Sequence, residues 1–346
     1  MYKYLKSLLR AEGLEAIKIK KKKYLENISP NRKYSFGKKN KKIKFYVIKR
    51  NYNFNGIFSN LIFVIDHIKY AKRNKMIPVV DMENFVTAYN EKNKINNSFN
   101  AWNYYFKNIS KYKLNEVYKS KNVYFSNDKR INKKQINEDK SLINIFKKFI
   151  RINPVHLKYF SNVKKKHFES KRKILGVHIR GTLEKIVRGH SLPPRPEDIL
   201  NVSIKIFKEQ KCTNVFLVTE DLSYFEIFKD YFNDRLIFLD TPRSKCSMFG
   251  DHNIHFKKKI RKNHRYKLGK ESLIDALMLS STNVLLITTS NLWRFSIIMS
   301  KIKQIRFQML TESKSVNRYI ARWQWYCKYL FPKIFGDINF KILRIK

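Results

Sequence analysis

The 346-residue chain is too long for one typical core and suits two domains; its 43% hydrophobic content excludes disorder by composition. A formal net charge of +47 points to polyanionic partners, namely nucleic acid, anionic headgroups, acidic glycans or nucleotide phosphates, although part of it follows from the joint abundance of Lys, Asn and Ile. Three cysteines, Cys212, Cys246 and Cys327, without C-x-x-C spacing argue against a disulfide framework or zinc knuckle and for a reducing compartment.

Residues 1–41 read as a basic N-terminal arm with the lysine runs KIKKKK and KKNKK. The opening MYKYLKSLLRAEGLEA is too charged for a signal peptide. No run of 18 apolar residues follows, so the expected place is the cytoplasm, at most peripheral at the inner membrane face. A first α/β domain is expected over 42–165. IKFYVIK (43–49) predicts a strand, NYNFNG a loop, and IFSNLIFVIDHIKYAKRNK a helix with Ile57, Leu61, Ile65 and Ile68 on one face. MIPVVD then predicts a second strand, completing a βαβ unit and a parallel sheet. Residues 82–160 are aromatic and rich in asparagine. There SFNAWNYYF (98–106) suits either sugar stacking in an acceptor groove or core packing, and SLINIFKKFIRI reads as a helix stopped by Asn153-Pro154.

A second domain is expected over 166–305. KILGVHI, NVFLVT, RLIFLD and NVLLIT predict strands. They alternate with helices in PEDILNVSIKIFKEQK, SYFEIFKDYFN, ESLIDALMLSST and SNLWRFSIIMSKI, the last capped by Ser290. Two Rossmann-like domains with a cleft between them follow, an α/β architecture with sites past the carboxyl ends of the strands. The remaining 306–346 read as a basic aromatic tail. Within it NRYIARWQWYCKYLFPKIF interleaves aromatics with Arg and Lys, and suits either an anionic membrane surface or packing on the core.

The strand ends of the second domain are uniformly polar. They read His178-Ile-Arg180-Gly181-Thr182, Thr219-Glu220-Asp221, Asp240-Thr-Pro-Arg243 and Thr288-Thr-Ser290-Asn291. Two arginines suit a diphosphate, a helix N-terminus with small hydroxyl residues suits an anion, and the carboxylates suit a ribose or base. Alternation puts His178 and Arg180 on one face, and Gly181 lets a ligand approach the backbone. That set fits a nucleotide diphosphate. Asp81-Met-Glu83 is the nearest approach to Asp-x-Asp, so a metal-dependent diphosphate site is not expected. His252, His255 and His264 lie in a basic loop that disfavours a metal, and no metal or other cofactor is expected.

The blocks GVHIRGT, FLVTEDLSYFEIF and ESLIDALMLSSTNVLLITTSNLWRFS, together with NFNGIFSNLIFVIDHIKYAKRNKMIPVVDM, resemble the GDP-fucose fucosyltransferases of the α-1,6, nodulation and protein-O-fucosyl types, in a bacterial branch. The resemblance implies a GT-B-like fold and an inverting, metal-independent transferase. It implies a GDP-fucose or related GDP-sugar donor and a glycan acceptor such as a surface polysaccharide or lipopolysaccharide. Carried over by position, Arg180 neutralises the β-phosphate with His178 supporting that strand end. Thr219, Glu220 and Asp221 contact the nucleoside, Asp275 matches an aspartate in the helix before the last strand, and Ser290 and Asn291 contact phosphate. The family often has a second arginine where this chain has Gly181, and an aspartate where it has Leu183; Arg188 or Arg243 are candidates to replace the lost charge. For the acceptor base, Glu184 is favoured over His190. The competing readings are a basic nucleic-acid- or polyanion-binding protein and an inactive binding module of the same fold. No helix-turn-helix, zinc-finger or RNP signature supports the first, so no specific nucleic acid is expected.

Overall fold

The computed structural model describes residue 25 and residues 28–50, 55–131, 139–181, 185, 189–245, 261–311 and 320–345. The described chain forms two compact α/β units. Among the described residues, those up to 159 together with 261–273 form one unit, and those from 160 to 245 together with those from 274 to 345 form the other.

The N-terminal unit is built on strands β1 (Lys33–Tyr34), β2 (Phe45–Ile48), β3 (Ile77–Val80) and β4 (Val123–Phe125), in the order β1-β4-β2-β3. The last three run parallel and β1 is antiparallel to β4. Between β2 and β3 lies helix α1 (Ile57–Arg73), whose Ile57, Leu61, Ile65 and Ile68 are all buried, as their spacing predicts. Lys72 and Arg73 occupy its last turn, where cations complement the helix dipole. Short helices α2 (Ala101–Tyr105) and α3 (Leu114–Val117) follow, then α4 (Lys140–Phe149). Asn153-Pro154 ends one helix and begins another. Pro154 is the first residue of α5 (Pro154–Phe168), a position where its missing N–H has no helical partner to lose.

One expectation changes in this unit, and one open alternative is decided in part. The basic arm does not stay in solvent throughout: Tyr34 and Phe36 pack edge-on against Phe125, and β1 joins the sheet. The lysines around these residues hide their apolar pattern. Within SFNAWNYYF, Trp102, Tyr104, Tyr105 and Phe106 are buried and Phe99 is exposed, so of the two alternatives core packing describes most of the segment.

The C-terminal unit holds a six-stranded sheet. Its strands are β5 (Ile174–Ile179), β6 (Asn214–Thr219), β7 (Leu236–Ile237), β8 (Val284–Ile287), β9 (Ile305–Thr311) and β10 (Phe340–Ile345). The order is β10-β9-β8-β5-β6-β7, all parallel except β10. The chain starts at β5, runs outward to β7, then returns to the other side of β5 with β8. The strand order therefore reverses between β5 and β8, which makes that junction the topological switch point. The connecting helices are α6 (Pro196–Glu209), α7 (Leu222–Phe232), α8 (His264–Leu279), of which only the part from Ile274 onward belongs to this unit, and α9 (Asn291–Met299). α8 begins seven residues earlier than the sequence predicts. The expected tail is not separate: β9, β10, α10 (Ala321–Leu330) and α11 (Pro332–Phe335) belong to this unit. Trp325 and Ile338 are buried with Leu192 in a small core of their own. Among the described residues no helix is long and apolar enough to cross a membrane.

Candidate functional site

Hydrogen bonds draw the strand ends of the C-terminal unit together in pairs, β5 with β8 and β6 with β7. At the switch point the Arg180 N–H donates to Thr288 Oγ1 at 3.2 Å, joining the end of β5 to the end of β8. Two residues beyond Thr288, Ser290 caps α9 by accepting from the Leu292 N–H at 3.2 Å. Asn291 opens that helix, and its Oδ1 accepts from Arg294 Nη1 at 3.0 Å, which also donates to Ser290 O. A helix start, an arginine on it and Arg180 across from it concentrate positive potential at the switch point.

Near the end of β5 itself, His178 is buried. Its pKa falls to about 4, first because burial disfavours the charged ring and then because Arg180 repels it, with Glu220 opposing. The ring is therefore neutral at pH 7. Its Nδ1 is buried without a hydrogen-bond partner, as are Arg243 Nε, Ser244 Oγ and Trp293 Nε1. A buried polar atom left so costs about 1–3 kcal/mol.

The β6 and β7 ends are stitched together by Ser244, whose N–H donates to Glu220 O at 2.9 Å and whose carbonyl accepts from Leu222 N–H at 3.1 Å. Next to it Arg243 stacks on Phe225, 4.1 Å from the ring centroid, and donates to the carbonyls of Thr241 and Leu239. Burial lowers the Arg243 pKa, while Asp275 and Asp240 raise it. Asp275, from α8, and Arg243, from the β7 loop, thus lie within electrostatic reach, though separated by more than thirty residues of chain.

Three of the expected residues have contacts within the protein itself. Asp221 is wholly buried and committed: Oδ1 caps α7 by accepting from the Ser223 N–H, and Oδ2 pairs with Lys185 Nζ at 3.0 Å. Thr219 Oγ1 accepts from the Asp221 N–H at 3.2 Å and supports the same turn. Gly181 adjoins protein: a Cβ there would lie 2.7 Å from Asp221 Cβ and 3.0 Å from Tyr224 Cε2. The close approach that requires glycine at 181 is therefore made by Asp221, and an arginine at that position would collide with it. Thr182, Leu183, Glu184 and Arg188 lie outside the described residues, as do His252 and His255. His264 starts α8 and its Nδ1 accepts from Arg261 Nε. Asp81 is buried and accepts from the Glu83 and Asn84 N–H groups and from Tyr118 OH at 2.6 Å, a strand-end turn cap.

Lys185 is the residue that the sequence did not flag. Both side chains of its pair with Asp221 are all but inaccessible, 2% and 0% exposed. Removing one partner of such a pair costs about 3–5 kcal/mol.

No protein-family model matches the chain, and no curated protein matches it in sequence. Among solved structures the fold is similar to that of NodZ alpha-1,6-fucosyltransferase soaked with GDP-fucose. The two are 13% identical, with a TM-score of 0.52 over 88% of this chain and 100% of that one. It is similar also to the same enzyme co-crystallised with GDP, at 13% identity and a TM-score of 0.51, covering 87% and 98% of the two chains. At this identity the likeness establishes the fold, a GT-B-like α/β architecture of the kind found in GDP-fucose fucosyltransferases.

Proposed function

We propose that this protein is an inverting, metal-independent glycosyltransferase that takes fucose, or a closely related sugar, from its GDP derivative. The observation that carries this reading is the convergence of Arg180, Thr288 and the start of α9 at the switch point of the C-terminal sheet. A diphosphate leaving group gains negative charge as the glycosidic bond breaks. Arginines and oriented helix N–H groups stabilise that charge without a cation. Arg180 takes the β-phosphate in this scheme, with Ser290, Asn291 and Arg243 around the diphosphate. His178, Glu220 and Asp275 take the nucleoside side. The acceptor is a glycan hydroxyl, from a surface polysaccharide or lipopolysaccharide intermediate. Glu184 is the group proposed to accept its proton.

A glycan of that kind is built on a membrane, and one surface of the chain suits an anionic bilayer. Leu330, Phe331, Ile334 and Phe335 cluster at the α10–α11 corner and are all more than half exposed, Ile334 at 75%. Lys328 and Lys333 stand among them, so apolar anchors come with charges that complement acidic headgroups.

A thermal-shift panel tests the donor. It sets GDP, GDP-fucose and GDP-mannose against UDP- and dTDP-sugars with EDTA present, on the native chain and on Arg180→Ala. A ligand at 100 times its Kd stabilises by about 2.7 kcal/mol. The expected result is a shift with guanine nucleotides only, reduced in Arg180→Ala. No shift with any nucleotide would sink the proposal.

A further inference from the structure

Lys185 is held by three aromatic rings as well as by Asp221. Its Nζ lies 4.1 Å from the Trp325 ring centroid, 5.6 Å from that of Tyr326 and 5.8 Å from that of Tyr224. Removing a charge from water this completely is costly unless several groups compensate it. Here a carboxylate and three rings do so. Nothing in the proposed transfer chemistry uses this ammonium.

Its position explains what it does. The backbone of Gly181 rests against the Asp221 carboxylate, 2.8 Å separating Asp221 Oδ2 from where a Cβ would be. That same oxygen takes the Lys185 bond. Gly181 follows Arg180, whose own N–H is fixed by Thr288. The Arg180–Gly181 segment is thus gripped on one side by the β8 end and on the other by a carboxylate that Lys185 orients. The far end of the same connection is tied by the same rings. Trp325 Nε1 donates to Pro193 O at 2.9 Å and Tyr224 OH to Pro194 O at 2.6 Å, while the Thr311 hydroxyl donates to Leu192 O.

We infer that Lys185 is a positioning residue, which seats the Arg180–Gly181 backbone through the Asp221 carboxylate and so aims Arg180 at the terminal phosphate of the donor nucleotide. The role rests on the donor reading given above. It also accounts for Gly181 in this chain: the space a side chain would need is taken by the carboxylate that Lys185 holds.

Calorimetric titration with GMP and GDP tests it. The two ligands share base, ribose and first phosphate, and only GDP carries the phosphate assigned to Arg180. In the native chain GDP binds more tightly than GMP. Lys185→Met is expected to weaken GDP by roughly tenfold or more while leaving GMP within about twofold. Arg180→Ala is expected to do the same, and the double variant to be no weaker than Arg180→Ala alone, because both losses act through one contact. If loss of GMP binding shows that Lys185→Met does not fold, Lys185→Gln, which keeps a donor for Asp221 without the charge, is read in its place. An unchanged GDP-to-GMP ratio, or losses that add in the double variant, would overturn the positioning role and leave the donor reading standing. A native chain that binds neither nucleotide would overturn the donor reading and this role with it.

Discussion

A single hydroxyl, that of Thr288, accepts from the Arg180 N–H at 3.2 Å and lies 3.4 Å from the carbonyl of His178, to which it donates. It spans the switch point and satisfies backbone groups on both sides of Ile179. Thr288→Val keeps the shape and leaves the Arg180 N–H unpaired, at a cost of about 1–3 kcal/mol. Urea denaturation is expected to show that loss, and nucleotide titration a weaker GDP affinity. Thr288→Ser is expected to restore both. A valine variant that matches the native chain in both assays would show that the hydroxyl carries no load.

Buried histidines set the acid limit of the fold. Burial lowers the pKa of both His178 and His67 to about 4. The unfolded chain takes up protons near pH 6.5, whereas the folded chain resists until near pH 4. Stability is therefore full above pH 6.5 and is lost as the pH falls from there toward 4, on the order of 3 kcal/mol for each histidine. Melting temperatures measured from pH 7.5 to 4.5 are expected to fall over that window. A flat profile would contradict the buried neutral rings.

Gly269, in α8, faces Tyr105: a Cβ there would come 2.2 Å from the phenol oxygen, which itself donates to the Tyr266 carbonyl. Tyr105 is wholly enclosed and has little room to retreat. Gly269→Ala is expected to destabilise the fold by about 1–3 kcal/mol through overpacking. Gly189, whose Cβ would meet nothing within 4 Å but whose φ is +79°, is the contrasting site. There the cost of alanine is backbone strain alone. Denaturation midpoints of the two variants compare these effects, and an undisturbed Gly269→Ala would mean that the helix can shift.

The apolar corner at Ile334 leads to a vesicle experiment. Flotation with phosphatidylglycerol vesicles is expected to carry the native chain at low salt, and phosphatidylcholine vesicles to leave it behind. Ile334→Asp with Phe335→Asp is expected to abolish flotation, and raising the salt to weaken it, since surface charge is screened within about 10 Å at 0.1 M. If flotation survives the aspartates, general basicity attracts the chain and the corner does not.

Periodic, buried segments were the legible part of the fold. KILGVHI and NVFLVT are strands at the predicted places, and the helix that starts at Pro196 follows its proline and acidic first turn. Segments dominated by lysine or aromatics misled, because β1 is two residues long within a basic run and β9 and β10 carry half-exposed or exposed side chains. α5 was hidden by a proline that reads equally as a stop and a start. Strand order follows from long-range pairing, which no local pattern encodes, so the strand ends could be named before the switch point could. Lys185 left no signal at all. Among 74 lysines and arginines, a buried one looks like the rest until Asp221 and Trp325 are placed beside it.

The two outer strands of the C-terminal sheet end it by different means. β7 has only two residues, too few to template another strand. β10 has six and is largely exposed, but Lys341 and Arg344 lie along it. Short or charged borders are how a sheet avoids growing into its neighbour. Some of the chain's excess of cations therefore keeps molecules apart, and neutralising those two positions would be felt first as aggregation in concentrated solution, with the polar edge at the strand ends untouched.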